Sequence, residues 1–172
     1  MKLYGDISYP EPRDSVCNLH NNILYLRATN SNYNVFSDPS LDIKTNLLLL
    51  TVTIRNLTPN SNFIHISSWF CEYPKGFYSI TKLTQEMLLE SYCKTFNIPY
   101  KILRLSNVIG GDNKASNKKN ALEFLIDKIK NNEDVDIYEG DNYRDFISVE
   151  DCCRAIKLVM EKGNNGETYN IG

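Results

Sequence analysis

The chain has 172 residues, 42% apolar and 23% charged, with a formal net charge of −2. That length suffices for one domain with a sizeable core, and the near-balanced charge excludes the basic face that a nucleic-acid surface needs. No apolar run reaches the length of a membrane span, and Met1-Lys2-Leu3-Tyr4 lacks the apolar core of a signal peptide, so a cytoplasmic protein is expected.

In chain order, Lys2–Ile7 reads as the end of a short strand. Tyr9-Pro10-Glu11-Pro12-Arg13 is turn-rich, and Asp14–His20 is long enough for a short helix. Asn22–Leu26 reads as a second, buried strand. Ser37-Asp38-Pro39 is a helix start, a capping side chain followed by proline in the first turn, and the helix is expected to run to about Asn56. Leu47–Leu50 makes it apolar around much of its circumference, as suits a helix covered on two sides. Asn62–Ser68 is an apolar strand that ends in two serines.

Gly76 opens a helix expected over Phe77–Phe96, in which Ile80, Leu83, Met87 and Leu88 share one side and are expected to pack inward. Ile98–Leu105 is a strand with Pro99 at its start, where a missing N–H is tolerated. Lys118–Asn131 has the spacing of an amphipathic helix, and Asp136-Ile137-Tyr138 reads as a short strand. Cys152–Lys162 is expected as a helix stopped by Gly163, and Glu167–Gly172 as a last strand. The five cysteines, Cys17, Cys71, Cys93, Cys152 and Cys153, are odd in number and form no Cys-x-x-Cys, which reads as free thiols in a reducing compartment. With only His20 and His65 available, neither beside a cysteine pair, no metal site is expected.

Tyr78 and Lys82 lie one helical turn apart, on the same face. A phenol with its ordinary pKa of about 10 is a poor proton donor or acceptor near neutrality. A fixed ammonium nearby favours the phenolate and turns the tyrosine into a proton shuttle for an alcohol or ketone. The pair alone is common on helices by chance. Ser68, at the end of the preceding strand, supplies a hydroxyl able to bond the same substrate oxygen. Ser68, Tyr78 and Lys82, in that order on a strand end and the following helix, resemble the catalytic triad of the extended short-chain dehydrogenase/reductases, the NAD-dependent epimerase/dehydratase family that modifies nucleotide-sugars.

The resemblance implies roles. Tyr78 is the general acid/base, Lys82 lowers its pKa and touches the nicotinamide ribose, and Ser68 holds the reacting oxygen. The implied cofactor is NAD or NADP. Gly5-Asp6-Ile7 matches the close of the family's third strand, making Asp6 and Ile7 cofactor contacts, Asp6 at the adenine; a solvated turn aspartate is the other reading. Leu26 and Ala28 match the family's His-Leu-Ala-Ala run beside the cofactor, while Arg27 replaces a small residue there. Asn46 matches an asparagine that supports the active-site backbone and cofactor, although Leu49-Leu50 replaces the Gly-Thr that follows. Arg104, Asn107, Val108 and Gly110 match Arg-x-x-Asn-Val-Tyr-Gly, which makes Asn107 a nucleotide-sugar contact. Tyr143–Asp151 closely matches Arg-Asp-Phe-Ile-x-Val-x-Asp, in which Arg144 pairs with the diphosphate; a structural ion pair with Asp145 or Asp151 is the alternative. Trp69-Phe70 stands where the dehydratases carry Asp-Glu, and the Ser68–Tyr78 connection is short for the family.

The implied fold is α/β: a partial doubly wound (Rossmann-type) parallel sheet with helices on both faces and a small C-terminal substrate-side part. Residues 1–105 correspond to a partial NAD-binding domain with the Ser/Tyr/Lys site. Residues 106–172 are mainly a substrate-binding part with a returning strand or helix. None of the eight glycines has the Gly-x-x-Gly-x-x-Gly spacing that seats the cofactor pyrophosphate, so the chain reads as truncated before its third strand, with Asn22–Leu26 left as an edge. Two functional readings follow: an NAD-dependent nucleotide-sugar epimerase or reductase, or a non-catalytic remnant that binds a sugar nucleotide or dimerises. A homodimer through helices 38–56 and 77–96, and a second chain supplying the missing strands, are the expected partners.

Overall fold

The computed structural model describes residues 21–29, 34–110, 121–135 and 143–172. Asp6 and Ile7, the expected strand at 2–7, the helix at 14–20 and the strand at 136–138 lie outside the described residues. Strands β1 (Asn22–Tyr25), β2 (Asn62–Ser68) and β3 (Tyr100–Leu105) alternate with helices, as the apolar runs and their polar breaks dictate. A short parallel pair, β4 (Asn107–Ile109) with β5 (Phe146–Ser148), stands apart from the main sheet. The chain returns at β6 (Thr168–Ile171), which completes a parallel sheet of order β1-β2-β3-β6.

Between β1 and β2 lie α1 (Asn34–Ser37) and a continuous helical run over 39–54. The run consists of α2 (Pro39–Asp42), a π-helical stretch (Ile43–Leu48) and α3 (Leu49–Ile54). Asp38 caps it as expected, its carboxylate accepting from the Ser40 N–H at 2.9 Å, with Pro39 in the first turn. Between β2 and β3 is α4 (Phe77–Phe96), which opens with Ser79 Oγ bonded to the Gly76 N–H at 3.0 Å and closes at Asn97 with φ of 53°. Helices α5 (Ala121–Lys130) and α6 (Val149–Lys162) follow. Helix α6 begins earlier than Cys152 because Ser148 accepts from the Asp151 N–H at 3.0 Å and so caps it. It stops at Gly163, where a Cβ would lie 2.6 Å from the Val159 carbonyl oxygen.

Both faces of the sheet are covered. Alternate residues of β2 serve opposite cores. Phe63 packs with Tyr25, Leu50, Ile54, Leu89, Cys93 and Ile102 under α3 and α4. Ile64 packs with Leu103 and Val159, and half-buried Ile156 and Met160, under α6. The molecule is thus α/β with a parallel sheet wrapped on both sides.

Three features depart from the expectations of pattern. Strand β1 is only partly buried: Tyr25 points into the core, whereas Leu26 just beyond the strand is 65% exposed, because β1 is an edge among the described residues. The helical run buries Asp42, Asn46, Leu50 and Ile54, a spacing of four. On an α-helix that spacing drifts by about 40° per step; the wider π turn takes up the drift and keeps all four on one side. Finally, α4 is turned over. Its buried side is Ser79, Thr81, Lys82, Gln85 and Glu86 with Leu89 and Cys93, while Ile80 is 49% and Met87 63% exposed and Leu88 faces outward beside them. The expected inward stripe faces out because each buried polar side chain on the other side has at least one partner, only Gln85 Oε1 being left without one among the described residues, which removes most of the cost of burying them.

His65 is fully buried in β2 with its ring 5.8 Å from that of Tyr25, and neither ring nitrogen has a hydrogen-bond partner among the described residues. Burial, and then the nearby charge of Lys82, hold its pKa well below the usual value, so the native imidazole is neutral. The unfolded chain takes up a proton below about pH 6.5 and the native state does not. Stability is therefore lost as pH falls through that value, by up to about 1.4 kcal/mol per pH unit from this group. Urea unfolding followed across that range should show this slope in the wild type and a shallower one in His65→Phe.

Candidate functional site at the β2–α4 junction

The carboxyl ends of parallel strands are where open α/β sheets bind ligands. At that end of β2, Ser68 turns its hydroxyl to the Phe70 N–H, accepting at 3.3 Å, and lies close to the phenol of Tyr78 from the first turn of α4. Lys82 follows one turn later, 2% exposed, with Nζ donating to the Ile66 carbonyl oxygen at 2.8 Å. Ser68 and Tyr78 are therefore brought close, with Lys82 one turn further along the same helix and turned to the strand carbonyl of Ile66.

Their charge states differ from expectation. Burial pushes the Tyr78 phenol up to about 12; the nearby Ser68 hydroxyl opposes the shift, while Cys71 and the Asp42 carboxylate add to it. Burial also brings Lys82 down to about 8, partly offset by Cys71 and Glu86. The expectation that the ammonium lowers the phenol is not met in the protein alone. Desolvation dominates both groups, and the amine is turned to a strand carbonyl.

Beneath the triad lies a buried polar clasp. Glu86 of α4 accepts a hydrogen bond from Ser67 and the fork of Arg104, whose Nε lies 3.1 and 3.2 Å and Nη2 2.6 Å from its oxygens. Arg104 Nη1 reaches Glu72 at 2.6 Å, and Asn170 of β6 donates to the same carboxylate at 3.1 Å. Arg104 thus ties β2, β3, β6 and α4 together. Pattern alone did not single out Glu86 or Glu72; the signal available was an acid one turn beyond Lys82, on the face that the apolar stripe left free.

Asn46, in the π turn, is fully buried and braces the junction. Its Oδ1 accepts from the Thr29 N–H at 2.8 Å, its Nδ2 donates to Thr81 at 2.9 Å, and its carbonyl accepts from Gln85. Ala28 is half-buried beside Thr29, and Arg27 is exposed. Asp42 was also missed. It is 1% exposed, with one oxygen accepting from Asn34 Nδ2 at 2.9 Å and the other without a partner among the described residues.

On the far side of the sheet end, Asn107 opens β4. Its backbone N–H and its Nδ2 both donate to the Asp145 carbonyl oxygen, at 3.1 and 2.8 Å. That clamp holds the 143–145 segment against β4. Arg144 beside it is exposed and forms no ion pair with Asp145 or Asp151; Asp151 pairs with Arg154 instead. Asn107, Tyr143 and Arg144 line a pocket of about 330 Å³ whose other wall is Trp69, Phe70 and Leu105. Leu105 is in register with Ser68, so the pocket adjoins the triad. No group of three or more potential metal ligands occurs among the described residues. No helix in the described residues is long and apolar enough to cross a membrane.

The NAD dependent epimerase/dehydratase family model matches residues 20–172. Among curated relatives, the dTDP-D-glucose 4,6-dehydratase of Dictyostelium discoideum is 31% identical over 166 residues, covering 93% of this chain and 37% of that protein. The low-salt glycan biosynthesis protein Agl12 of Haloferax volcanii is 35% identical over 100 residues, covering 58% of this chain and 31% of its own. The chain therefore spans about a third of the length of these relatives. Among solved structures, the UDP-glucose 4-epimerase of Thermotoga maritima with UDP-glucose superposes with a TM-score of 0.76 at 28% identity, covering 92% of this chain and 58% of that one. The UDP-glucuronic acid 4-epimerase of Bacillus cereus, in complex with UDP-glucuronic acid and NAD, gives 0.79 at 25% identity, covering 92% and 56%. By the extent of the family match, taken with this fold, the chain belongs to the NAD-dependent epimerase/dehydratase family.

Proposed function

We propose that this chain carries the proton-transfer and sugar-side parts of an NAD-dependent nucleotide-sugar epimerase or reductase. The observation that carries the reading is the placement of Ser68, Tyr78 and Lys82 beside a pocket edged by Arg144, whose guanidinium pairs with neither neighbouring aspartate. Relatives described as acting on dTDP- and UDP-sugars support the substrate class.

In this reading Ser68 holds the reacting sugar oxygen and Tyr78 gives or takes its proton. Arg144 offers a planar fork to the diphosphate, and Asn107 holds that segment in place while its Oδ1 faces the sugar nucleotide. The residues suit a nicotinamide ribose. Lys82 spends one of its three N–H donors on Ile66, leaving two for ribose hydroxyls. Ala28 is small, and exposed Arg27 leaves the adjoining space open. Asn46 braces the backbone on that side. A bound nicotinamide would supply the hydride exchange that no side chain performs. Positive charge placed beside the phenol lowers its pKa, which suits a tyrosine resting as the neutral phenol. The high resting pKa of Tyr78 is also what favours the second reading, a chain that binds a sugar nucleotide without turning it over.

The outward apolar face of α4 exposes Ile80, Met87 and Leu88, as the neighbouring run exposes Leu41 and Ile43. We assign this face to a second copy of the chain. The four described cysteines are all free, which supports a reducing compartment.

Three outcomes test these assignments. Tyr78→Phe should lower NAD-linked turnover of a nucleotide-sugar by about 100-fold or more with little change in sugar-nucleotide binding; equal turnover would remove the tyrosine from the chemistry. Lys82→Met should abolish turnover yet raise unfolding stability by about 1–3 kcal/mol, because it deletes a buried charge held by a single hydrogen bond. Met87→Glu with Leu88→Glu should convert a dimer into a monomer by sedimentation equilibrium, with the fold unchanged by circular dichroism.

A further inference from the structure

Ser68 sits inside a closed circuit of bonds that passes through one guanidinium. The residue before it, Ser67, donates to Glu86, and Glu86 takes Nε and Nη2 of Arg104. After Ser68 the chain makes a tight turn over Trp69–Cys71, and Glu72 closes it. The Glu72 N–H donates to the Trp69 carbonyl oxygen at 3.0 Å, and its carboxylate takes Nη1 of Arg104 at 2.6 Å. Arg104 therefore grips the chain on both sides of Ser68. Asn170 donates to the same Glu72 oxygen at 3.1 Å, which pins the turn to β6 as well. The turn decides what the Ser68 hydroxyl can do. A hydroxyl has one proton to donate and two lone pairs. The Phe70 N–H, in the middle of the turn, occupies one lone pair at 3.3 Å. That fixed donor sets the direction in which the remaining lone pair and the proton point. With the turn open, the hydroxyl would be free to change rotamer.

We propose that Glu72 is a positioning residue for the proton-transfer step: through the turn over Trp69–Cys71 it holds the Ser68 hydroxyl where the reacting sugar oxygen must lie. The proposal rests on the catalytic nucleotide-sugar reading of the site. Glu72 does not line the pocket, so it acts only through the turn. The two halves of the circuit differ in what they cost to break. The side chain of Glu86 is 6% exposed and that of Glu72 34%. Removing Glu86 would strand the Arg104 charge in the interior. Removing Glu72 leaves Arg104 forked onto Glu86, and a partly exposed ion pair adds little to stability. Glu72 thus orients more than it stabilises, which separates its loss from a loss of fold. A displacement of about 1 Å in a group that meets the reacting atoms can lower a rate by about 100-fold, and a turn released at one end has that freedom.

The test compares the full chain with Glu72→Ala and Glu72→Gln. The glutamine variant keeps an acceptor oxygen for Arg104 and Asn170, and the alanine variant does not. Three readouts are taken: kcat and KM for NAD-linked turnover of UDP-glucose or dTDP-glucose, the urea unfolding midpoint, and acrylamide quenching of tryptophan emission. Trp69 is the chain's single tryptophan and lies in the turn, so its quenching reports the order of the turn directly. Glu72→Ala should lower kcat by about tenfold or more and leave KM within about twofold, with the midpoint unchanged and the quenching raised. Glu72→Gln should keep kcat within about threefold of the wild type and match its quenching. A wild type that turns over either sugar, with Glu72→Ala at the same kcat, would overturn the role of Glu72 and leave the catalytic reading standing. A fall in kcat matched by a fall in the midpoint, or unaccompanied by a change in quenching, would overturn the positioning role as well. A folded wild type that turns over neither sugar with NAD would overturn the catalytic reading itself, and this proposal with it.

Discussion

The junction depends on one buried ion pair. Arg104, on β3, forks onto Glu86 of α4, and the same carboxylate takes the hydroxyl proton of Ser67 from β2. Breaking a buried pair by removing one partner typically costs about 3–5 kcal/mol, because the other charge stays behind without compensation. Here the loss would reach three secondary-structure elements at once. The clasp is also what lets α4 lie with its polar side down. With Glu86 satisfied, Gln85 on the Asn46 carbonyl and Thr81 on the Asn46 amide, the helix buries a polar stripe at small net cost.

Two functional features follow from that orientation. Tyr78 and Lys82 share the buried side of the helix, so both are desolvated. The phenol is pushed up to about 12 and the amine down to about 8. Burial favours the neutral form of each, so in the chain alone near neutral pH the phenol rests neutral while the amine, though brought down, is still mostly protonated. The other feature is the apolar face left outside, where Ile80, Met87 and Leu88 are exposed, as are Leu41 and Ile43 of the 39–54 run. Turning the helix over leaves a buried polar face and an exposed apolar one on a single element.

Much of this was legible in the sequence. The apolar runs of β2 and β3, the capped start at Asp38 and the serines at the end of β2 all carry local signals, and the structure places them as read. Ser68 at a strand end, with Tyr78 and Lys82 one turn apart at the start of the following helix, stand on the elements read for them. What was not legible depends on partners distant in the chain. Periodicity shows which residues of α4 share a face, but not which face meets the sheet; that depends on Arg104, which the sequence placed in a strand and a family motif but gave no partner. The π turn in the 39–54 run is invisible to propensity, since it exists to keep Asp42 and Asn46 in line with Leu50 and Ile54. Asp42 was not singled out in the sequence, and its burial near Tyr78 is a tertiary fact.

The central claim is that the β2–α4 junction holds a tyrosine in reserve as a neutral phenol, to be tuned by what binds next to Lys82. The most direct measurement is the pKa of Tyr78 by NMR of chain labelled with ¹³C at tyrosine Cζ, the resonance assigned with Tyr78→Phe, taken first alone and then with saturating NAD. The account predicts a value near 12 for the chain alone and a clear fall when NAD is bound. An ordinary value of about 10 in the free chain, or a value that bound NAD leaves unmoved, would contradict it.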